Sequence, residues 1–413
     1  MITPSRHRSQ HALWAGEWLT NIGRGAVSLS LAYYLFRLTG SIWAFAIACL
    51  SELVLAMALR RVCAASIRSY GPRWVLILAA TGLCAILLPP VFAGDLLDYS
   101  VYLGLGAALC MNAMRVFVSA ATYAAVVQYA ATRIEATNAG LGVALQVGQF
   151  GGMVLAGATL EWAGFNHLAL FAALSYGLAA IAYAALPVQA VDIPSETPSA
   201  ESGSLLGAVR HNAEAVRLSL VGATDFALVG LFNLLLAPVV VAIHAGAPRW
   251  MMLLDVSFTI GALFASALFV RVGARLSRRP WLASVLSLTA AVVAFHAIVR
   301  GAPAYSLTAT AIFGTTVTAS YLFWMSRAQA ETPADAAGAV GALRNILNGA
   351  MLALVAGIIA ARDASTADAL LHSALIVVAV VATAACLLFA APALYRAWAG
   401  DAAGLNPFRS RHQ

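Results

Sequence analysis

Lysine is absent from this chain of 413 residues, so all 24 of its basic side chains are arginine. That absence excludes two chemistries. A P-loop needs a lysine on its phosphates, and a Schiff-base enzyme needs a lysine amine. Charge is scarce altogether, at 10% of residues, against about a quarter in soluble domains. Cysteine is sparse as well. Cys49, Cys63, Cys84, Cys110 and Cys386 form no close pair, so neither a disulfide framework nor a zinc site is indicated. The eight histidines show no metal-ligand spacing, and no cofactor is expected. No nucleophile, base and acid stand in a catalytic pattern, so an enzyme is not expected either.

What the chain has in quantity is apolar length. It is 62% hydrophobic, with a mean hydropathy of +0.85. Apolar runs of about 20 residues recur from end to end, the length that crosses about 30 Å of hydrocarbon as a helix. The roughly ten-residue alternation of barrel strands is missing. The chain therefore reads as an all-α integral membrane protein with twelve transmembrane segments. They lie at roughly 12–36, 43–62, 74–92, 100–120, 139–160, 166–187, 217–243, 250–270, 281–299, 305–325, 340–361 and 370–391. The first segment carries charges and lacks a small-x-small cleavage site, so it is expected to be retained. Residues 188–216 are rich in Pro, Ser and Glu. They read as a cytoplasmic linker between two six-helix halves, 1–187 and 217–413, the second ending in a short cytoplasmic tail.

Arginine placement orients the segments. With the N-terminus inside, 18 arginines fall on the cytoplasmic side and 4 outside, the positive-inside pattern. The net charge of +7 thus reads as topology, not as nucleic-acid binding. A repeat supports the division into halves. Trp43 and Trp250 open the second and eighth segments, 207 residues apart. Trp74 follows Gly71-Pro72-Arg73, and 207 residues later Trp281 follows Arg278-Arg279-Pro280. Two parallel halves are the architecture of one large class of secondary transporters.

Three local stretches carry a resemblance. They are "NIGRG" (21–25) with "YLFRLTGSIWA" (34–44), Glu135-Ala136-Thr137-Asn138-Ala139-Gly140, and "QAETPADAAGAVGALRNI" (329–346). On these the chain resembles the major facilitator superfamily, and within it the drug-efflux branch that includes macrolide and enterobactin exporters. The resemblance implies two pseudo-symmetric bundles that rock around a central site, a small-molecule substrate and coupling to the proton gradient. It also implies a monomer in the lipid bilayer of a bacterial inner membrane, with both ends cytoplasmic. Two departures stand out. In the gating loop after the second segment, Gly71 and Arg73 fit the pattern. Arg68 stands where an acid belongs, and Ala64 where the first glycine belongs. In the first segment Arg24 occupies the place of the branch's usual acid.

Charges inside the membrane are costly, about 2.5–3.5 kcal/mol each on insertion scales, so they are normally paired or face water. Glu17 and Arg24 lie seven residues apart, on one helical face. Glu52 falls at a depth similar to Arg24. Either the two lock the first segments together, or Arg24 faces the cavity and meets an anionic ligand. Glu17 has Arg115 as a candidate partner; the alternative is that each snorkels to the interface. Asp225 is a lone carboxylate, either a proton carrier or a hydrogen-bonded acid near the helix entry. Gln146, Gln149, Asn233 and Tyr321 are candidate ligand contacts on cavity-lining segments. For Asn345 and Asn348 the preferred reading is hydrogen bonding between the halves. Trp324 reads as an interface anchor, Asp255 as an interface cap and His296 as lipid-interface packing. The glycines at 148, 151, 152 and 157 read as close helix packing.

The expected function is proton-coupled export of a small amphipathic molecule by alternating access, with Arg24 favouring a siderophore or similar anionic chelator. The alternatives are a multidrug efflux pump, an importer or lipid translocator, and a non-transporting membrane sensor.

Overall fold

The computed structural model describes residues 4–39, 42–92, 101–130, 133–188, 212–243, 248–276, 278–300, 303–362 and 366–404. Among them it holds ten helices: α1 (Pro4–Thr39), α2 (Ile42–Phe92), α3 (Val101–Tyr129), α4 (Ile134–Ala184), α5 (Ala213–Ile243), α6 (Pro248–Leu276), α7 (Trp281–Arg300), α8 (Pro303–Ala330), α9 (Ala337–Ala360) and α10 (Ala367–Gly404). The fold is all-helical, as expected, and the protein is a multi-pass membrane protein. Nine described stretches are long and apolar enough to cross a membrane. The expected linker falls largely outside the described residues.

The ten helices hold the twelve expected segments because α2 and α4 each contain two of them. Each runs 51 residues, which at 1.5 Å per residue is about 77 Å if straight, over twice the hydrocarbon thickness. In α2 the break is at Gly71, with φ 75° and ψ 159°. That left-handed backbone suits glycine alone among ordinary residues, and Pro72 follows it. The 207-residue repeat is visible in exposure: Trp74 and Trp281, each just past a basic turn, are 48% and 51% exposed.

Buried side chains gather into two large cores. One joins α1, α2, α3 and α4, with Ala337, Val340 and Ala342 of α9 docked on it. The other joins α5 through α10. Glycine makes the closest crossings. A Cβ on Gly152 of α4 would lie 2.1 Å from the Ile22 carbonyl oxygen of α1, and one on Gly25 would lie 2.2 Å from the Gln149 carbonyl oxygen. The glycine run thus does what small residues do between membrane helices: it lets backbones touch. Helix α1 carries Glu17 and Arg24, and α8 is rich in hydroxyl side chains.

Candidate polar sites in the two lobes

In the first lobe a polar seam runs along α1. Glu17 accepts a hydrogen bond from Asn21 Nδ2 at 3.0 Å, one turn further on. Thr122 Oγ1 of α3 donates to it at 3.4 Å and the Tyr183 hydroxyl of α4 at 3.5 Å. Thr20 Oγ1 meets that same hydroxyl at 3.2 Å. The aromatic ring fits because Gly16 leaves room; a Cβ there would be 2.3 Å from Tyr183.

Two turns further along α1, Arg24 shares with Arg115 the neighbourhood of Tyr176, a fully buried α4 residue whose hydroxyl makes no hydrogen bond. Gly23 makes space for that ring as Gly16 does for Tyr183. Arg115 donates to Asn112 Oδ1 at 3.3 Å, and Asn112 Nδ2 donates to Ser51 Oγ at 2.9 Å. The expected Glu17–Arg115 pair does not form. Glu17 takes its hydrogen bonds from neutral groups, while Arg115 turns toward Asn112 and Tyr176. The Glu52 side chain lies outside the described residues, and with it the expected Arg24–Glu52 pair.

In the second lobe the carboxylate of Asp225 is sealed at 1% exposure. Ser287 Oγ of α7 donates to one oxygen at 2.8 Å and Ser320 Oγ of α8 to the other at 2.6 Å. Beside them the Trp324 indole N–H donates to Ser284 Oγ at 3.0 Å. Trp324 is 2% exposed, which corrects its expected role as an interface anchor. A serine inside the lobe satisfies its one polar atom, so it needs no headgroup.

The lobes meet through a third polar set, at the end that carries the arginine-rich turns. Asn138 Nδ2 of α4 donates to Ser326 Oγ at 2.9 Å and to Gln329 Oε1 at 2.5 Å, both on α8. The hydroxyls of Tyr123 and Thr332 lie 2.9 Å apart. Ser119 Oγ donates to Asn345 Oδ1 at 2.7 Å, and Asn345 Nδ2 donates to the Val116 carbonyl at 3.1 Å. Asn345 thus serves as the half-to-half contact expected of it. Arg344 donates to the Tyr321 hydroxyl and lies 5.9 Å over the Tyr123 ring.

The remaining candidates are scattered. Gln146 and Gln149 stand half-buried on α4, and Asn233 is exposed on α5. Arg68 is exposed, and Arg73 donates to the Ala184 carbonyl at 2.7 Å, within its own lobe. Tyr176, Tyr183, Asn138 and Gln329 were missed by sequence reasoning. The signal for the tyrosines was a hydroxyl in the middle of an apolar segment. For Asn138 and Gln329 it was their place inside the two resembling stretches.

No protein-family model matches the sequence, and no curated protein matches it either. Solved structures do match in shape. A bacterial homologue of the iron transporter ferroportin, in an outward-facing state, aligns with a TM-score of 0.74 at 15% identity, over 92% of this chain and 98% of that one. The human organic anion transporter MFSD10 aligns at 0.66 and 14% identity, over 92% of this chain and 100% of the other. FucP, a major facilitator superfamily transporter in its outward conformation, aligns at 0.63 and 14%, over 92% and 98%. Over nearly its whole length, the chain has the fold of the major facilitator superfamily transporters.

Proposed function

We propose that the protein is a proton-coupled secondary transporter that exports a small anionic, chelator-type molecule across the bacterial inner membrane. It works by alternating access between halves 1–187 and 217–413, with both ends cytoplasmic. The observation that supports this reading is that Arg24 and Arg115 lie near the buried Tyr176 hydroxyl, which has no hydrogen-bond partner of its own. Guanidinium groups at membrane depth are rare unless they serve a ligand, an ion path or a partner. Two of them near a phenol offer the N–H and O–H donors that a carboxylate or catecholate accepts. Glu17 lies close enough to Arg24 to temper its charge, which leaves the seam receptive to an anion without demanding one permanently. The lobe contacts at the arginine-rich end support the alternating part of the reading. The 18-to-4 arginine bias supports a cytoplasmic position for that end.

The test uses inside-out proteoliposomes, an imposed pH gradient and a labelled catecholate siderophore. Accumulation should follow the gradient and collapse with a protonophore. Arg24→Ala should remove it while the protein still accumulates in the membrane. If the labelled siderophore moves no faster than in empty vesicles, the anionic-cargo reading is wrong. If Arg24→Ala fails to accumulate and Arg24→Ala with Glu52→Ala restores it, Arg24 is a structural partner instead.

A further inference from the structure

Helix α8 carries two contacts that no other helix combines among the described residues. At Ser320 it holds the buried carboxylate of its own lobe, Asp225, at 2.6 Å. At Ser326 and Gln329 it holds Asn138 of the opposite lobe, at 2.9 and 2.5 Å. The nine-residue step from Ser320 to Gln329 spans about 14 Å of uninterrupted helix. Trp324, between them, is clamped to Ser284 of α7. A rigid rod gripped at both ends transmits a displacement from one grip to the other.

We propose that Asp225 is the proton site that sets the lobe-to-lobe latch, and that α8 is the link between them. This rests on the proton-coupled reading above. The ionised carboxylate accepts from both serines, which ties α8 to α5 and α7 with Asn138 engaged. A charge-assisted hydrogen bond is about twice as strong as a neutral one. Protonation turns one oxygen into a donor and weakens both grips, so α8 slides and Asn138 loses Gln329 and Ser326. Ser287 and Ser320 are the groups that face Asp225. Among the described residues no charged side chain meets it, on α5 itself, on α7 or on α8. The latch is built from neutral side chains, Asn138, Gln329, Ser326, Tyr123 and Thr332, with Arg344 against two phenols. It therefore works without the acid that Arg68 replaces in the gating loop. Asn138 and Gln329 are 0% and 2% exposed. Asn138 Oδ1 has no hydrogen-bond partner even here, so losing Gln329 and Ser326 leaves the whole buried amide unsatisfied, which makes the latch two-state in character.

The experiment needs no substrate. The native cysteines are replaced, and Ala328→Cys, fully buried at the lobe contact, reports on the latch by its alkylation rate with a membrane-impermeant maleimide in inside-out vesicles. Each rate is divided by that of an exposed reference, Tyr70→Cys, at the same pH, which cancels the loss of thiolate as the pH falls. This normalised alkylation should rise as the pH falls in the parent protein. Asn138→Ala should raise it roughly threefold to tenfold at every pH, the size of one or two buried hydrogen bonds. Asp225→Asn should give the fast rate at all pH values and erase the pH dependence. Ser320→Ala should do the same, and it keeps the proposal open to test if Asp225→Asn does not fold. Glu135, Glu331 and Asp335 lie at the same end. A pH dependence that survives in Asp225→Asn and Ser320→Ala therefore belongs to them and overturns the link. If Asn138→Ala leaves alkylation unchanged, the latch itself is wrong. If the latch responds to Asp225 but no gradient-driven transport is found, the link stands and the transport reading fails.

Discussion

The two lobes share a fold and differ in what fills them. The first is stitched by polar groups: Glu17 with Asn21, Thr122 and Tyr183, then Arg24 and Arg115 around Tyr176. The second packs rings around Phe313, with Phe232, Phe258 and Phe295 at centroid distances of 6.2, 5.6 and 6.2 Å. One of its carboxylates, Asp225, is sealed between two serines. The first lobe holds its charged groups among hydroxyls and amides, whereas the second buries Asp225 where, among the described residues, no other charged side chain meets it. A transporter that binds cargo on one side of its axis and a coupling ion on the other would divide its chemistry in this way.

The comparison is broken most severely at the glycine crossings, which both lobes share. Gly152→Val in the first lobe drives a side chain into the Ile22 carbonyl. Gly314→Val in the second does the same against the Phe258 carbonyl, 2.2 Å from an ideal Cβ. Both should abolish accumulation of folded protein, because backbone cannot retreat as a side-chain tip can. Gly151→Ala, with nothing within 4 Å of the new carbon, should leave the melting temperature in detergent unchanged. A stable Gly152→Val protein would show that the α1–α4 crossing is looser than its geometry.

Next in size is the contrast between site and scaffold. Arg24→Ala should lose most transport with little change in melting temperature. Phe313→Ala should do the reverse. In water-soluble cores a Phe→Ala change costs about 3–5 kcal/mol. Here the loss should be smaller, because lipid is as apolar as the cavity left behind and packing alone is forfeited. Residual transport should scale with the surviving folded fraction. If Phe313→Ala abolishes transport without lowering the melting temperature, the ring cluster is part of the moving machinery.

Much of this was legible in the amino-acid order alone. Apolar run lengths placed all twelve segments, and the Trp74–Trp281 repeat predicted matching positions that prove equally exposed. The polar residues of the first segment marked the seam. Partners were not legible, because a depth ruler orders residues along a helix axis and says nothing of azimuth. The ruler set Glu17 and Arg115 at one depth, whereas Glu17 meets Thr122, two turns along α3 from Arg115, and Tyr183 of α4. Trp324 went astray similarly: its distance from the helix end suggested a headgroup, whereas its direction points inward to Ser284.

The smallest effect should come from Arg217 and Glu214, at the start of the second lobe. Their guanidinium–carboxylate contact, 2.5 Å at its shortest, is bidentate, but the side chains are 21% and 52% exposed. Pairs that accessible are worth about 0–1 kcal/mol, so Glu214→Gln should shift the melting temperature barely at all, and less at high salt. Arg217→Ala should cost more than Glu214→Gln, because Arg217 Nη1 also donates to the Leu388 carbonyl of α10 at 3.1 Å. The difference between the two variants isolates that carbonyl bond. If the two shifts are equal, Arg217 anchors nothing beyond its acid, and the second lobe is closed at this end by its aromatic core alone.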